Sequence, residues 1–156
     1  MFIYLGAGCF WGVEAEFRKL AGVLSTSVGY MGGTLDNPSY EDVCTDLTGH
    51  AEVVQVEYDP SKVTYEDLLA LFFTLHDPTQ LNRQGPDIGS QYRSVIFYEN
   101  SNEKTISKKY IEGVSSKFKK PIVTTLEEKS TYYIGEDYHQ KYLEKRGLAS
   151  CHSGLA

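Results

Sequence analysis

Cysteine and histidine are both scarce in this chain of 156 residues. Its three cysteines are Cys9, Cys44 and Cys151, an odd number that includes no CxxC pair. An odd count argues against a secreted disulfide framework, and the spacing lacks the paired ligands of a zinc site. The four histidines are scattered and add no ligand pair. The sequence therefore predicts no bound metal and a reducing compartment, which we take to be the cytoplasm.

Long apolar runs and excess positive charge are also missing. No window approaches the roughly 18 apolar residues that a membrane span needs, and the N-terminus lacks the basic and apolar segments of an export signal. Lysine and arginine number 15 against 21 acidic residues, which gives a net charge of −6. This balance argues against nucleic acid or an anionic membrane as the main partner. We expect a soluble chain that works as a monomer.

The length and the 41% hydrophobic content fit a single catalytic domain over residues 1–156. Strand-like patterns lie at 1–5, 24–30, 52–58, 93–98 and 122–126, and helical patterns follow Cys9, Thr64 and Asn100, with a short one at 137–145. This order predicts an α+β two-layer sandwich with a mixed sheet and a ferredoxin-like βαβ core. Long irregular loops are expected at 32–49 and 76–91, and residues 147–156 are expected to form a mobile, coil-rich tail that carries Cys151.

The sequence Gly6-Ala7-Gly8-Cys9-Phe10-Trp11 places Cys9 where a strand ends and a helix begins. The unpaired N–H groups and the positive end of a helix dipole favour a thiolate there, so the thiol pKa should fall below its usual value of about 8.5. A thiolate is the nucleophilic form of cysteine. The alternative is that Cys9 is a small buried apolar residue, which is the common role of a free cysteine.

Glu52 shares a strand face with Val54 and Val56, because side chains alternate with a period of two. Loss of water around a carboxyl on that face would favour its neutral form, which can donate a proton. A carboxylate at the strand end that reaches solvent explains the pattern equally well. On the helix after Cys9, Phe10 belongs to the apolar core stripe, whereas Trp11 lies off it and can line a pocket beside the sulfur.

Several segments in order resemble the peptide methionine sulfoxide reductase A family. The first is Gly8-Cys9-Phe10-Trp11 with Glu14. The others are Gly29-Tyr30-Met31-Gly32-Gly33, Pro38-Ser39-Tyr40, Thr48-Gly49-His50-Ala51-Glu52, Asp87-Ile88-Gly89-Ser90-Gln91-Tyr92-Arg93-Ser94 and Glu136-Asp137-Tyr138-His139-Gln140-Lys141-Tyr142-Leu143. The resemblance covers nearly the whole chain.

The resemblance implies reduction of the S epimer of methionine sulfoxide, free or in proteins, to methionine. It implies that Cys9 attacks the sulfoxide sulfur and becomes a sulfenic acid, and that Glu52 protonates the sulfoxide oxygen. It implies three further roles, each for a pair of residues. Tyr40 and Tyr92 would donate hydrogen bonds to that oxygen, Phe10 and Trp11 would form an apolar wall for the substrate methyl, and Asp87 and Tyr142 would complete the pocket.

The resemblance also implies a recycling step. Cys151 would resolve the sulfenic acid as a Cys9–Cys151 disulfide, which thioredoxin or another dithiol reduces, so no bound cofactor is expected. Cys44 is interpreted as structural, with its use as the resolving thiol left open. Two positions depart from the family pattern, Asp46 where glycine is more common and Pro86 where asparagine is more common.

Three other functions would use the same thiol. A thiol peroxidase would employ Cys9 and Cys151 on hydroperoxides, and a cysteine acyl-transferase would need a histidine partner that the sequence does not indicate. A non-catalytic, redox-sensing module that binds peptides through its aromatic residues is the third. Substrate-dependent release of methionine separates the reductase from all of them.

Overall fold

The computed structural model describes residues 1–142, so Cys151 and the predicted tail lie outside the described residues. The described strands are β1 (Phe2–Ala7), β2 (Val23–Met31), β3 (Ala51–Tyr58), β4 (Arg83–Gln84), β5 (Asp87–Ile88), β6 (Ser94–Tyr98), β7 (Thr125–Glu128) and β8 (Tyr133–Ile134). The described helices are α1 (Phe10–Arg18), α2 (Tyr40–Cys44), α3 (Tyr65–Leu75) and α4 (Ser101–Val114).

The main sheet has six strands in the order β7-β6-β1-β3-β2-β8. The central run β6-β1-β3-β2 is antiparallel throughout, and together with α1 and α3 it forms a βαββαβ unit of the ferredoxin-like kind. Strand β7 pairs with β6 in parallel, so the sheet is mixed. These features confirm the predicted α+β fold with a mixed sheet.

The helices cover one face of the sheet because their apolar side chains pack against the apolar side chains that the strands direct to that face. On α1, Phe10, Val13 and Phe17 are at most 1% exposed and join one core cluster with Ile3 and Leu5 of β1. Burial of each such side chain is worth roughly 1.5–3 kcal/mol relative to exposure. The opposite face carries a smaller cluster that includes Tyr4, Val53 and Phe97.

Capping residues fix where two of the helices begin. The helix predicted after Thr64 begins with a capping box, in which the Thr64 side chain accepts the Asp67 N–H and the Asp67 carboxylate accepts the Thr64 N–H. Ser39 and Asp42 form the same reciprocal box at the start of α2. That helix has five residues and lies in the segment expected to be irregular, where it is too short for apolar periodicity to reveal it.

Two other segment predictions needed correction, and a third can be followed only over its described part. The loop predicted at 76–91 contains the short hairpin of β4 and β5, and the strand predicted at 122–126 lies further along the chain as β7. Of the helix predicted at 137–145, the described residues show a 3-10 turn at Asp137–His139, and residues 143–145 lie outside the described residues. In each case tertiary contacts, which the local pattern does not report, decide the element's bounds.

Candidate active site

Cys9 is the N-cap residue of α1, two residues after β1 ends, as the sequence predicts. The preceding Gly8 has a φ of 91°, and a Cβ there would lie 2.9 Å from side-chain atoms of Gln84. Only glycine meets both demands without strain, so the sharp turn before the thiol depends on it. Cys9 itself is half-buried, unlike a fully packed core cysteine.

Glu52 is 2% exposed near the start of β3, so the strand-end carboxylate in solvent is excluded. Its Oε1 accepts the backbone N–H of Phe10 at 3.2 Å, whereas its Oε2 has no hydrogen-bond partner among the described residues. Burial, with a smaller contribution from the charge of Asp87, raises the pKa of Glu52 to about 8. The carboxyl is therefore mostly protonated at neutral pH, and its second oxygen is buried without a hydrogen-bond partner among the described residues.

Two tyrosine hydroxyls, from separate elements, lie in the electrostatic field of Glu52. Tyr40 begins α2, and Tyr92 ends a 3-10 turn after β5. Burial is the main cause of the raised pKa of each phenol, and the charge of Glu52 raises both further. The charges of Asp87 and Cys9 also raise the pKa of Tyr92. Both phenols therefore remain protonated at neutral pH and can donate hydrogen bonds, and the fold brings them together with Glu52.

An aromatic wall stands beside this cluster. Trp11 is half-buried and stacks on Tyr142, with ring centroids 3.8 Å apart and an interplanar angle of 11°. Its other ring contacts are with Tyr40 at 6.3 Å and His139 at 5.6 Å. Phe10 is 1% exposed and supports the wall from the core side. The two interpretations of Phe10 from the sequence, as a core residue and as part of the apolar wall, are thus compatible.

His139 belongs to the wall, although sequence reasoning assigned it no role. Its Nδ1 accepts the indole N–H of Trp11 at 3.0 Å, and burial lowers the pKa of its imidazole. A neutral ring that accepts at Nδ1 carries its proton on Nε2, which has no hydrogen-bond partner within residues 1–142. The only signal in the sequence is the position of His139 in the segment shared with the family, since metal-ligand spacing gives none.

Cys44 is exposed at the end of α2, where the Tyr40 hydroxyl hydrogen-bonds its sulfur. Partial loss of water around the sulfur raises the pKa of this thiol, and the charge of Glu52 adds to the effect. Cys44 is therefore close to the site but is not part of the packed core. The other candidate resolving residue, Cys151, lies outside the described residues.

A groove of about 850 Å³ opens beside Cys9 and is also lined by Gln84, Pro86, Asp87, Lys119 and Lys120. Over residues 1–142 there is no cluster of three or more His, Cys, Asp or Glu side chains placed to hold a metal ion. In the same range, every helix is too short or too polar to cross a membrane. The accessible chemistry is that of a thiol opposite a protonated carboxyl and phenols.

This arrangement suits attack by a thiolate on an atom bonded to an oxygen that is a poor leaving group. The acid and the phenols can protonate or hydrogen-bond that oxygen while the thiolate attacks. An aromatic wall beside the sulfur can hold an apolar substituent of the same substrate.

Comparison with known proteins agrees with this chemistry. The family model for peptide methionine sulfoxide reductase matches residues 1–156. The peptide methionine sulfoxide reductase MsrA of Acidobacterium capsulatum is 58% identical over 149 residues, which cover 94% of this chain and 96% of that protein. Relatives at this identity over nearly the full length share both fold and family.

Solved structures extend the comparison to three dimensions. Reduced Mxr1 from Saccharomyces cerevisiae superposes with a TM-score of 0.91 at 39% identity, covering 97% of this chain and 90% of that one. Mxr1 in complex with Trx2 superposes with a TM-score of 0.66 at 28% identity, covering 91% and 84%. The match of the family model over the full length, the high identity and the shared fold lead to one assignment: the chain belongs to the peptide methionine sulfoxide reductase A family.

Proposed function

We propose that this protein reduces the S epimer of methionine sulfoxide, free or in polypeptides, with Cys9 as the nucleophile and Glu52 as the acid. The observation that carries the proposal is the buried Glu52 carboxyl. One of its oxygens accepts the N–H of Phe10, the residue after the thiol, and the other has no hydrogen-bond partner among the described residues. A pKa of about 8 keeps a proton on this group at neutral pH.

The first step forms a bond between the Cys9 sulfur and the sulfoxide sulfur. Glu52 gives its proton to the sulfoxide oxygen as the thiolate attacks, because that oxygen is a poor leaving group until protonated. Transfer of the hydroxyl to the Cys9 sulfur then breaks the substrate S–O bond and the new S–S bond, which yields a sulfenic acid and releases methionine. Cys9 is oxidised by two electrons and the substrate sulfur is reduced by two.

Tyr40 and Tyr92 donate hydrogen bonds to the same oxygen. Both hydroxyls stay protonated because burial and the nearby Glu52 raise their pKa values. Donors aimed at developing negative charge in a site of low dielectric lower the barrier more than they would in water. Tyr40 must exchange its bond to Cys44 for one to the substrate.

The aromatic wall binds the methyl group and orients the sulfoxide. Trp11 is the half-buried residue of this wall. Phe10 lies on its core side, and Tyr142 stacks on its indole ring. Placing the methyl against this wall and the oxygen against Glu52 leaves one epimer with its sulfur directed at Cys9. Asp87 completes the pocket and contributes by raising the pKa of Glu52.

Recycling uses a second thiol and an external reductant. The Cys151 thiol condenses with the Cys9 sulfenic acid, forming a disulfide and releasing water. A thioredoxin then reduces the disulfide, a role supported by the solved complex of the similar Mxr1 with Trx2. The protein is proposed to act in the cytoplasm as a monomeric, single-domain enzyme over residues 1–156 that needs no bound cofactor.

The test is a direct comparison of two oxidants. The reduced protein is mixed with either a methionine sulfoxide peptide or a hydroperoxide, and the rates of Cys9 oxidation and of methionine release are compared. Faster oxidation by the sulfoxide, with one methionine released for each Cys9 oxidised, supports the reductase. Oxidation by the hydroperoxide with no reaction of the sulfoxide would replace it with a thiol peroxidase or a redox sensor.

A further inference from the structure

Glu14 is a buried carboxyl to which the chemistry above gives no role. It lies on α1, one helical turn after Trp11, and is 1% exposed. A carboxyl in such a place costs several kcal/mol unless its oxygens are hydrogen-bonded. Burial raises the pKa of Glu14, and two hydrogen bonds oppose that effect. The partners of those bonds show what the side chain does.

One carboxyl oxygen of Glu14 holds the main chain near the end of the described residues. Oε1 accepts the backbone N–H of Lys141 at 2.6 Å, and Oε2 accepts the hydroxyl of Thr26 at 2.9 Å. Lys141 has a φ of 56°, a left-handed conformation that is uncommon for residues other than glycine. The short bond to Glu14 stabilises that conformation.

The turn at Lys141 precedes the residue that stacks on the indole. Tyr142 lies parallel to Trp11 at 3.8 Å, and Trp11 shares α1 with Glu14. Helix α1 therefore carries Trp11 and, through Glu14, also fixes the main chain next to Tyr142, the residue that stacks on Trp11. A shift in the Lys141 backbone moves the Tyr142 ring directly, because the two residues are adjacent.

The residue before this turn has an independent anchor. The Gln140 side chain accepts the N–H of Val28 at 2.8 Å and donates to the carbonyl of Val28 at 2.8 Å. His139, one residue earlier, is tied to the Trp11 indole. Loss of the Glu14 bond should therefore release Lys141 and Tyr142 while the main chain up to Gln140 stays on the sheet.

We propose that Glu14 is a positioning residue for substrate binding: it holds the Lys141 backbone so that Tyr142 stacks on Trp11 and fixes the indole as the wall for the substrate methyl. The inference rests on the proposed function, since that function gives the wall its substrate. Its physical content, the link from Glu14 to Trp11 through Tyr142, can be measured without any enzymatic assay.

Trp11 is the only tryptophan in the chain, so its fluorescence reports the stack directly. Glu14→Leu keeps an apolar side chain of similar volume and removes the acceptor. We expect its indole emission to shift to longer wavelength and its quenching by acrylamide to rise about twofold, because the uncovered ring meets more solvent. Glu14→Gln retains an oxygen acceptor for Lys141 and should restore the wild-type spectrum.

Thr26→Val is the matched control, since it removes the other partner of Glu14 and leaves the Lys141 bond. It should give the wild-type spectrum, and a shift equal to that of Glu14→Leu would contradict the proposal. If Glu14→Leu fails to fold, Glu14→Asp keeps the charge but draws the oxygens back by one methylene, and it should show the same shift. A wild-type spectrum in a folded Glu14→Leu or Glu14→Asp variant would overturn the proposal.

Kinetics separates positioning from a general loss of structure. Glu14→Leu should raise KM for a methionine sulfoxide peptide about tenfold, with the single-turnover rate at saturation nearly unchanged. In a Tyr142→Ala background, the same change should add almost nothing, since the two residues act in one chain of contacts. Fully additive effects on KM would contradict the proposal. A wild-type protein that reduces no sulfoxide would refute the proposed function, and the fluorescence result would still decide the role of Glu14.

Discussion

The backbone N–H of Phe10 donates to Glu52 Oε1 at 3.2 Å, so the acid is tied to the residue that follows the nucleophile. This N–H is one of the groups at the start of α1 that has no partner within the helix. The bond therefore fixes one carboxyl oxygen next to Cys9 and leaves the second free to deliver a proton. Distance and orientation between acid and nucleophile follow from the place where α1 begins.

Replacing Glu52 with glutamine should remove proton donation and keep the shape of the side chain. The amide oxygen can still accept the Phe10 N–H, but the group cannot transfer a proton in the same way, so the single-turnover rate should fall by roughly 10²-fold or more. In the wild type, the rate should also fall as pH rises through about 8, where Glu52 ionises. This alkaline decline should be absent from Glu52→Gln. Stopped-flow measurement of methionine release from pH 6 to 10 checks both, and an equal alkaline decline in the two proteins would assign the acid to another residue.

The same carboxyl should make stability depend on pH. Its pKa rises from 4.5 to about 8 on folding, so between these values the folded state holds a proton that the unfolded state has lost. Wild-type stability therefore falls, relative to Glu52→Gln, as pH increases through this window, by at most about 1.4 kcal/mol per pH unit. The difference in stability between the two proteins should be constant below the pKa of Glu52 in the unfolded state and constant again above its pKa in the folded state. Urea unfolding of both proteins at pH 5 and pH 8 measures it, and parallel profiles would show that Glu52 ionises normally.

Removal of either phenol should slow the chemical step without disrupting the fold. Tyr92→Phe takes away one donor to the sulfoxide oxygen and should reduce the single-turnover rate by roughly 10–10²-fold, with a smaller effect on KM. Tyr40→Phe should act similarly, although it also removes the bond to Cys44. Cys44→Ser controls for that second effect. Wild-type rates in both tyrosine variants would leave Glu52 as the sole group acting on the oxygen.

Cys151→Ser should separate the first turnover from recycling. We expect about one methionine per enzyme, followed by a stall with thioredoxin as reductant, because the sulfenic acid has no thiol to condense with. Cys44→Ser is the matched control and should cycle normally. Continued cycling of Cys151→Ser, together with a stall of Cys44→Ser, would move the resolving role to Cys44, whose thiol lies beside Tyr40.

Much of the site follows from local rules in the sequence. A glycine turn between a strand and an apolar helical stripe placed Cys9 at the N-cap, and a period of two placed Glu52 on the valine face. Both depend only on neighbouring residues. The depth of burial of Glu52 depends on α1 and the sheet together, so the strand pattern alone left a solvent-exposed end possible.

Other parts depend on contacts between distant segments. The bond from Trp11 to His139 spans 128 residues, and the one from Glu14 to Lys141 spans 127, so no local pattern reports either. The short helix α2 did have a local signal in Ser39 and Asp42, which form the same kind of capping box that begins α3. Apolar periodicity was the wrong guide for so short a helix.

One departure from the family pattern also has a structural explanation. Asp46 adopts a φ of 61°, which lies in the left-handed region that favours glycine. Its carboxylate accepts the backbone N–H of Ser90 at 3.0 Å and also the Ser90 hydroxyl. Aspartate tolerates this conformation better than most residues, and its side chain links the loop after α2 to the turn that carries Tyr92.

Single-turnover reduction of the separate S and R epimers of a methionine sulfoxide peptide tests the central claim most directly. The enzyme is examined by mass spectrometry after each reaction, with Cys9→Ser as the inactive control. We expect methionine from the S epimer alone and a loss of about two hydrogens from the enzyme, located at Cys9 and Cys151. Methionine from Cys9→Ser, or no methionine from either epimer, would contradict the account.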